Sequence, residues 1–357
     1  MLRKTTEILI RINLIFNILI VLFYTSCSGD ITYNNEVKDF DCLSVNQIEL
    51  QGEKLNIDVP GADNIFVIDS LLVFISRNPS GCINVYSLNN TKHLEDFGSM
   101  GRARNEFMSM PYNTPKQLYY DKGKAILRLV DGNRLKNIDL TSSLKEHKTI
   151  LTCSENCLYV GDGEFVLLNN RTDKFEFRRG VSEKKEFGVP RFYILKGDKE
   201  KEIPIFRRLI EGEGDSRYLS MYCYCWPVKH PSKDLIIQPF LYLDYILLMD
   251  LNKNKYCFLH QSGTATFNEP ISEPKIRFFD CFPTESFFLV AYNGKYNNKG
   301  ESSLLLFDWD GNIKGNFILS DVRTNRIAFD SVNQYLYVLD RVSESIYRFN
   351  MNGLIPK

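Results

Sequence analysis

Nine cysteines and four histidines are the residues of this 357-residue chain best suited to metal or nucleophilic chemistry. Cys153 and Cys157 lie four apart in CSENC, and Cys223 and Cys225 alternate in MYCYCW. A zinc site needs Cys and His clustered at ligand spacing. His230, five residues beyond Cys225, is the nearest histidine to either pair. Cys42, Cys82, Cys257 and Cys281 are scattered, and unpaired thiols of that kind pack as small apolar groups. The other histidines, His93, His147 and His260, fall in separate parts of the chain. Asp69, Asp131, Asp250, Asp308 and Asp340 each follow an apolar run, where a turn carboxylate stands. Glycoside hydrolysis would need two carboxylates at a set separation in space. No P-loop, dinucleotide fingerprint, zinc-protease His pair or nucleophile elbow is present in the sequence. The reading is therefore no catalytic residue, no metal and no cofactor.

Softer candidates concern binding. Arg102 and Arg104 lie in the glycine-bounded stretch FGSMGRARNEF, and Trp226 and His230 follow Tyr222 and Tyr224. Aromatic and Arg side chains supply much of the energy of recognition sites. The competing role for the aromatic group is blade packing, since alternate strand residues share one face. Arg102, Arg104, Trp226 and His230 are the candidate ligand-binding residues.

The elements that must position these residues are strands. Tyr and Phe number 19 and 25, Asn, Asp and Gly turns recur, and no long amphipathic helical pattern interrupts them. Lys plus Arg and Asp plus Glu balance at 44 each, which removes the electrostatic case for nucleic acid. One local grammar of short strands and polar turns repeats, with units starting near residues 64, 116, 157, 233, 278 and 326. Spacings of about 40–50 residues are those of four-stranded propeller blades. The expected fold is all-β, a six-bladed β-propeller of four-stranded antiparallel blades. The longer third interval places an insertion at 191–217. Residues 45–50 are expected to close the ring as outer strand of the last blade, beside Ile346–Phe349.

The leader adds an address. Arg3, Lys4 and Arg11 flank or precede the apolar run INLIFNILIVLFY, and Thr25, Ser26 and Cys27 follow it. The run is too short for a typical transmembrane helix and has the length of a secretory h-region. It resembles a bacterial lipoprotein signal, which implies cleavage before Cys27 and lipid on its thiol. Residues 1–26 would be the signal, 27–43 a flexible tether and 44–357 the propeller.

Two segments extend the resemblance. FGSMGRARNEF, from Phe97 to Phe107, is similar to the blade join that TolB-like six-bladed propeller lipoproteins share with NHL-type propellers. Residues 304–351, with DWDGN, IAFD and LYVLD, are similar to the last two blades of that family. The resemblance implies a monomeric lipoprotein of the bacterial cell envelope, on the outer membrane, facing the periplasm or the cell surface. It implies no agreed activity. The leading expectation is a non-catalytic binding or scaffolding module for a protein or glycan partner, held to the membrane through Cys27. The alternative is a hydrolase or lyase with its site in the central funnel.

Overall fold

The computed structural model describes residues 32–33, 36–103, 105–108, 117–131, 134–153, 164–168, 173–181, 187–196, 199–203, 205–208, 226–264, 266, 275–294, 302–340 and 342–355. Four short strands come first: β1 (Thr32–Tyr33), β2 (Glu36–Phe40), β3 (Gln47–Leu50) and β4 (Glu53–Lys54). Blade 1 follows as β5 (Ala62–Ile68), β6 (Leu71–Ser76), β7 (Ile83–Ser87) and β8 (His93–Phe97). Blade 2 is β9 (Gln117–Asp121), β10 (Lys124–Asp131), β11 (Arg134–Asp139) and β12 (Leu151–Cys153), with helix α1 (Leu140–Glu146) before its last strand. Blade 3 is β13 (Glu164–Leu167), β14 (Lys174–Val181), β15 (Phe187–Lys196) and β16 (Lys199–Ile203); β17 (Phe206–Arg208) pairs with β1. Blade 4 is β18 (Val228–Lys229), β19 (Leu235–Pro239), β20 (Tyr245–Asp250) and β21 (Lys255–Gln261). Blade 5 is β22 (Phe278–Pro283), β23 (Phe287–Tyr292), β24 (Ser302–Asp308) and β25 (Ile313–Leu319). Blade 6 is β26 (Thr324–Asp330), β27 (Tyr335–Asp340) and β28 (Ile346–Asn350), completed by β4.

The fold is thus the expected six-bladed propeller. Its blades begin within a few residues of the repeat starts, except that the third begins at Glu164 and the fourth at Val228. The stretch read as an insertion at 191–217 is corrected in part. Residues 191–203 belong to the outer hairpin of blade 3, because Phe192, Tyr193 and Ile194 pair with both β14 and β16.

Ring closure also differs from expectation. Residues 47–50 lie one blade earlier than the sequence implied, parallel to β25, with Phe317 opposite Ile48. The outer strand of blade 6 is instead β4, where Lys54 faces Tyr347 and Glu53 faces Arg348. Residues 36–40, read as flexible tether, pair in parallel with β21 as a fifth strand of blade 4. The N-terminal segment is therefore a belt across the outer edges of blades 4, 5 and 6. Side chains fasten it: Asp39 to His260 at 2.9 Å, Lys38 to Asn312 at 2.6 Å, Ser320 to Glu49 at 2.7 Å and Arg348 to Glu53 at 2.6 Å. Phe40 adds an edge-to-face contact with Phe307, at 5.1 Å between ring centres. Burying such edges satisfies their unpaired N–H and C=O groups.

Period-two alternation turns one row of each strand toward each neighbouring blade. Apolar clusters join blade 1 to 2, 3 to 4, 4 to 5, 5 to 6 and 6 to 1. The blade 1–2 join matches the sequence reading: Phe97 and Phe107 are both buried in its cluster. Gly98 has φ of +77°, a conformation costly for residues with a side chain. At Gly101 an added Cβ would lie 1.8 Å from Glu106 Oε2, so the Glu106 side chain would have to move for any other residue.

Candidate functional site

Antiparallel order gives the disc two faces. The joins between blades and the loops linking second to third strands lie on one, here called upper. Turns linking first to second and third to fourth strands lie on the lower face.

The upper face carries a cleft of about 650 Å³ where the chain enters blade 1. Asp58, from the segment between β4 and β5, forms one side. Arg77, just after β6, and Asn84 and Tyr86 on β7 continue the lining; His93 and Asp96 on β8 complete it. Asp96 Oδ1 accepts from Asn84 Nδ2 at 2.8 Å and lies 2.8 Å from His93 Nε2, which orients the imidazole. Tyr86 donates its hydroxyl to the Asp58 carbonyl at 3.1 Å, and its ring meets the edges of Phe74 and His93. Burial, then the charges of Asp96 and Asp58, push the Tyr86 phenol above its ordinary pKa. Its proton is held, so it serves as a hydrogen-bonding group rather than a nucleophile.

The residues singled out in the sequence do not converge. Arg102 is exposed on the upper face, in the join between blades 1 and 2. Trp226 is half-buried at the upper entrance to blade 4. Arg104, Tyr222, Tyr224 and Cys27 lie outside the described residues. His230 is on the opposite, lower face and is fully buried. Its Nδ1 accepts from the backbone N–H of Ser232 at 3.1 Å and Lys233 at 3.2 Å; Nε2 donates to the Glu285 carbonyl at 3.1 Å. Its ring centre stands 4.6 Å from that of Trp309. Burial holds its pKa below the ordinary histidine value, against the opposing charge of Glu285. His230 is thus a neutral clamp between blades 4 and 5, buried on the face opposite Arg102 and Trp226.

The other histidines also bind carboxylates. His147 joins α1 of blade 2 to Glu95 of blade 1 at 2.9 Å. Asp39, His260 and Thr264 stand in the order of an oriented nucleophile, at 2.9 and 3.2 Å. Thr264 Oγ1, however, donates to the Gln261 carbonyl at 2.7 Å, so the arrangement pins the belt to blade 4. The strand-end aspartates have turn roles. Asp250 accepts from the N–H groups of Asn252 and Lys253, Asp308 from Asp310 and Asn312, and Asp340 from Val342, Ser343 and Arg323. Asp131 receives the Met108 N–H at 2.9 Å and an ion pair from Lys136 at 2.6 Å. Cys42, Cys82 and Cys281 are buried free thiols, and Cys257 is a half-buried one. Burial pushes Cys82 up to about 12, and its Sγ donates to the Gly98 carbonyl at 2.9 Å. Among the described residues no three His, Cys, Asp or Glu side chains come together as a metal site requires.

No protein-family model matches the chain, and no curated protein matches it in sequence. Solved structures do share its fold. A member of the DUF4221 family from Bacteroides vulgatus is 11% identical with a TM-score of 0.51, over 85% of this chain and 98% of that one. U3-55K is 7% identical with a TM-score of 0.48, over 84% of this chain and 98% of that one. Chaetomium thermophilum Raptor is 12% identical with a TM-score of 0.46; the match covers 90% of this chain and 29% of Raptor. At such identities the likeness shows the fold alone.

The cleft was not legible as a motif. Asp58, Arg77, Asn84, Tyr86, His93 and Asp96 are spread over 39 positions in ordinary turn and strand contexts. The signal present in the sequence was polarity on the last strand of blade 1, where HLEDF sets His93 three residues before Asp96.

Proposed function

We propose that the chain is a lipid-anchored propeller of the TolB-like kind, acting as a non-catalytic binding module in the bacterial cell envelope. Lipid on Cys27 holds it at the outer membrane, and its upper face meets a protein or glycan partner. The observation that carries this reading is the open cleft on that face. Its lining offers hydrogen-bonding groups, while its tyrosine keeps its proton and its histidine is held by Asp96. Propellers present such loop-built faces on a rigid scaffold. The DUF4221 protein supports the fold of this reading, and the leader supports the anchor.

The test has two parts. Labelled palmitate should enter the full chain in a bacterial host and be lost in Cys27→Ser; equal labelling of both overturns the anchor. Cross-linking in intact cells should give a partner band that Arg102→Glu with Trp226→Ala abolishes. A band unchanged by that pair places the partner elsewhere and overturns the role of the upper face.

A further inference from the structure

We propose that the lower edge of blades 3 and 4 rests against the headgroup surface of the membrane, with the upper face held away from it. This seat rests on the lipid at Cys27 proposed above and names the surface which that lipid brings to the bilayer. The direction in which the belt meets the ring decides it. Strand β21 runs from a lower-face turn to the upper-face join that follows blade 4. β2 lies parallel to it, with Glu36 opposite Cys257 and Phe40 opposite Gln261, so the chain climbs the rim of blade 4 from the lower face. Just before, Thr32 and Tyr33 lie against Arg208 and Phe206 of β17, which follows the last strand of blade 3. Side chains and main chain fix this register. Phe40 is buried, its carbonyl accepts the Ser262 N–H at 2.8 Å, and Asp39 holds His260.

Chain length then limits how far the anchor can stand from that edge. A fully extended residue spans at most about 3.6 Å, so Cys27 lies within about 18 Å of Thr32 and about 32 Å of Glu36. The shorter reach is less than the height of a blade, about 20 Å for the six residues of β20 at about 3.4 Å each. It is also less than the distance across the ring to blade 1. Two facing four-stranded blades measure more than about 30 Å at about 4.8 Å per strand. The disc therefore cannot turn its upper face or its far rim onto the bilayer. The outer turns at the tethered edge suit the contact. They read KGDK at 196–199 and DLNKNK at 250–255, four lysines against two aspartates. Lys196, Lys199, Lys253 and Lys255 are exposed, and Asp250 already pairs with Lys253 at 3.1 Å. Lysines within about a Debye length of an anionic leaflet are drawn to it. Seated in this way, the ring leaves Arg102 and Trp226 open to a partner.

The probe is a nanodisc of phosphatidylethanolamine and phosphatidylglycerol holding the chain as a bacterial host makes it. A water-soluble amine reagent modifies the lysines, and mass spectrometry reads the rate at each. The comparison is a variant with a Gly/Ser segment of about 24 residues inserted after Gly29, which adds about 25–30 Å of reach. The insertion precedes the belt and alters no residue of the ring. Lys196, Lys199, Lys253 and Lys255 should react several-fold more slowly in the parent than in the variant. Lys92, on the outer lower turn of blade 1, and Lys275, on the upper face before blade 5, should react equally in both. Equal rates at all six lysines, or slowing at Lys92 or Lys275 as strong as at the other four, overturns the proposal. Palmitate labelling reads the anchor separately. Palmitate on Cys27 with no difference among the lysines leaves the anchor standing and overturns the orientation. Slowed lysines without palmitate uphold the orientation, since an uncleaved leader enters the same belt, and overturn the lipid.

Discussion

Replacing Lys136 by methionine tests how the glycine-bounded join is held onto blade 2. The ammonium lies 2.6 Å from Asp131 Oδ2, and the two side chains are 7% and 0% exposed. It also donates to the Glu106 carbonyl and stands 4.9 Å above the Phe107 ring. Asp131 in turn receives the Met108 N–H at 2.9 and 3.1 Å, so one ion pair fixes both ends of the Glu106–Met108 turn. Lys136→Met keeps the apolar stem but leaves a buried carboxylate without its counter-charge. Breaking a buried pair from one side costs about 3–5 kcal/mol. In a domain of this size that is about 4–8 °C in Tm. Asp131→Asn with Lys136→Met removes both charges, and exchanging a buried pair for neutral groups is often nearly neutral. The double variant should therefore recover at least about 2 kcal/mol relative to the single one. Urea and thermal unfolding of the three proteins measure this directly. A single variant within about 1 kcal/mol of the parent, or a double variant no better than the single, would falsify the assignment of the join's stability to this pair.

Acid and truncation provide two further tests. Burial raises the carboxyls of Asp340, Asp308, Asp250 and Asp139, but the N–H and side-chain bonds they accept outweigh it and hold all four below the ordinary range. Their stabilisation is complete above the unfolded value, about pH 4, and is lost as pH falls through the folded values. Urea midpoints should drop between pH 5 and pH 3, and less so in Asp308→Asn/Asp340→Asn; parallel pH profiles would refute this. A chain starting at Gln51 retains β4 but loses the buried Phe40 and Leu50, about 3–6 kcal/mol by apolar burial. A chain starting at Asn56 should be weaker still, since it also loses β4 and Leu55; equal urea midpoints for Gln51 and full-length chains would remove the belt from the stability of the ring.

Local patterns were legible where neighbouring residues decide the structure. Turns such as Lys122–Gly123, with φ of 50° and 77°, and the Asp308–Gly311 turn mark their hairpins directly. Phe97, Gly98 and Phe107 announced the join because a left-handed glycine between two buried aromatics has few other uses. The belt was not legible to the correct blade. A strand added to an outer edge uses main-chain bonds that any sequence offers, so Gln47–Leu50 fits blade 5 or blade 6 by pattern alone. What decides is polar and distant: Asp39 with His260 and Glu49 with Ser320, over 200 positions apart. The place of His230 was not legible for a related reason. Its proximity in sequence to Trp226 and Cys225 suggested a cluster, yet the two-residue strand β18 carries the chain from the upper face to the lower between them.

The same distances explain where the ring is strong. Five blade junctions hold apolar clusters, but none of the described residues forms one between blades 2 and 3. There β10 turns Arg128 away from the Leu127 and Leu129 row that packs on blade 1, bonded to Asn137 at 2.7 Å and 4.9 Å from the Tyr119 ring centre. Opposite, Lys174 and Glu176 flank Phe175, which packs toward blade 4, and pair at 2.9 Å while 2% and 1% exposed. A buried ion pair contributes geometry more than adhesion, because desolvation offsets most of its attraction. Blades 2 and 3 are consecutive in the chain, so a covalent join limits their separation whatever the interface contributes. Blades 6 and 1 meet where the ring closes across the chain ends. That junction has the apolar cluster of Leu55, Ile57, Tyr337 and Ile346, the β4–β28 pairing and the belt behind it. The junction where the two ends of the chain are brought together thus combines an apolar cluster with strand pairing and the belt, whereas the junctions of consecutive blades also have the covalent join.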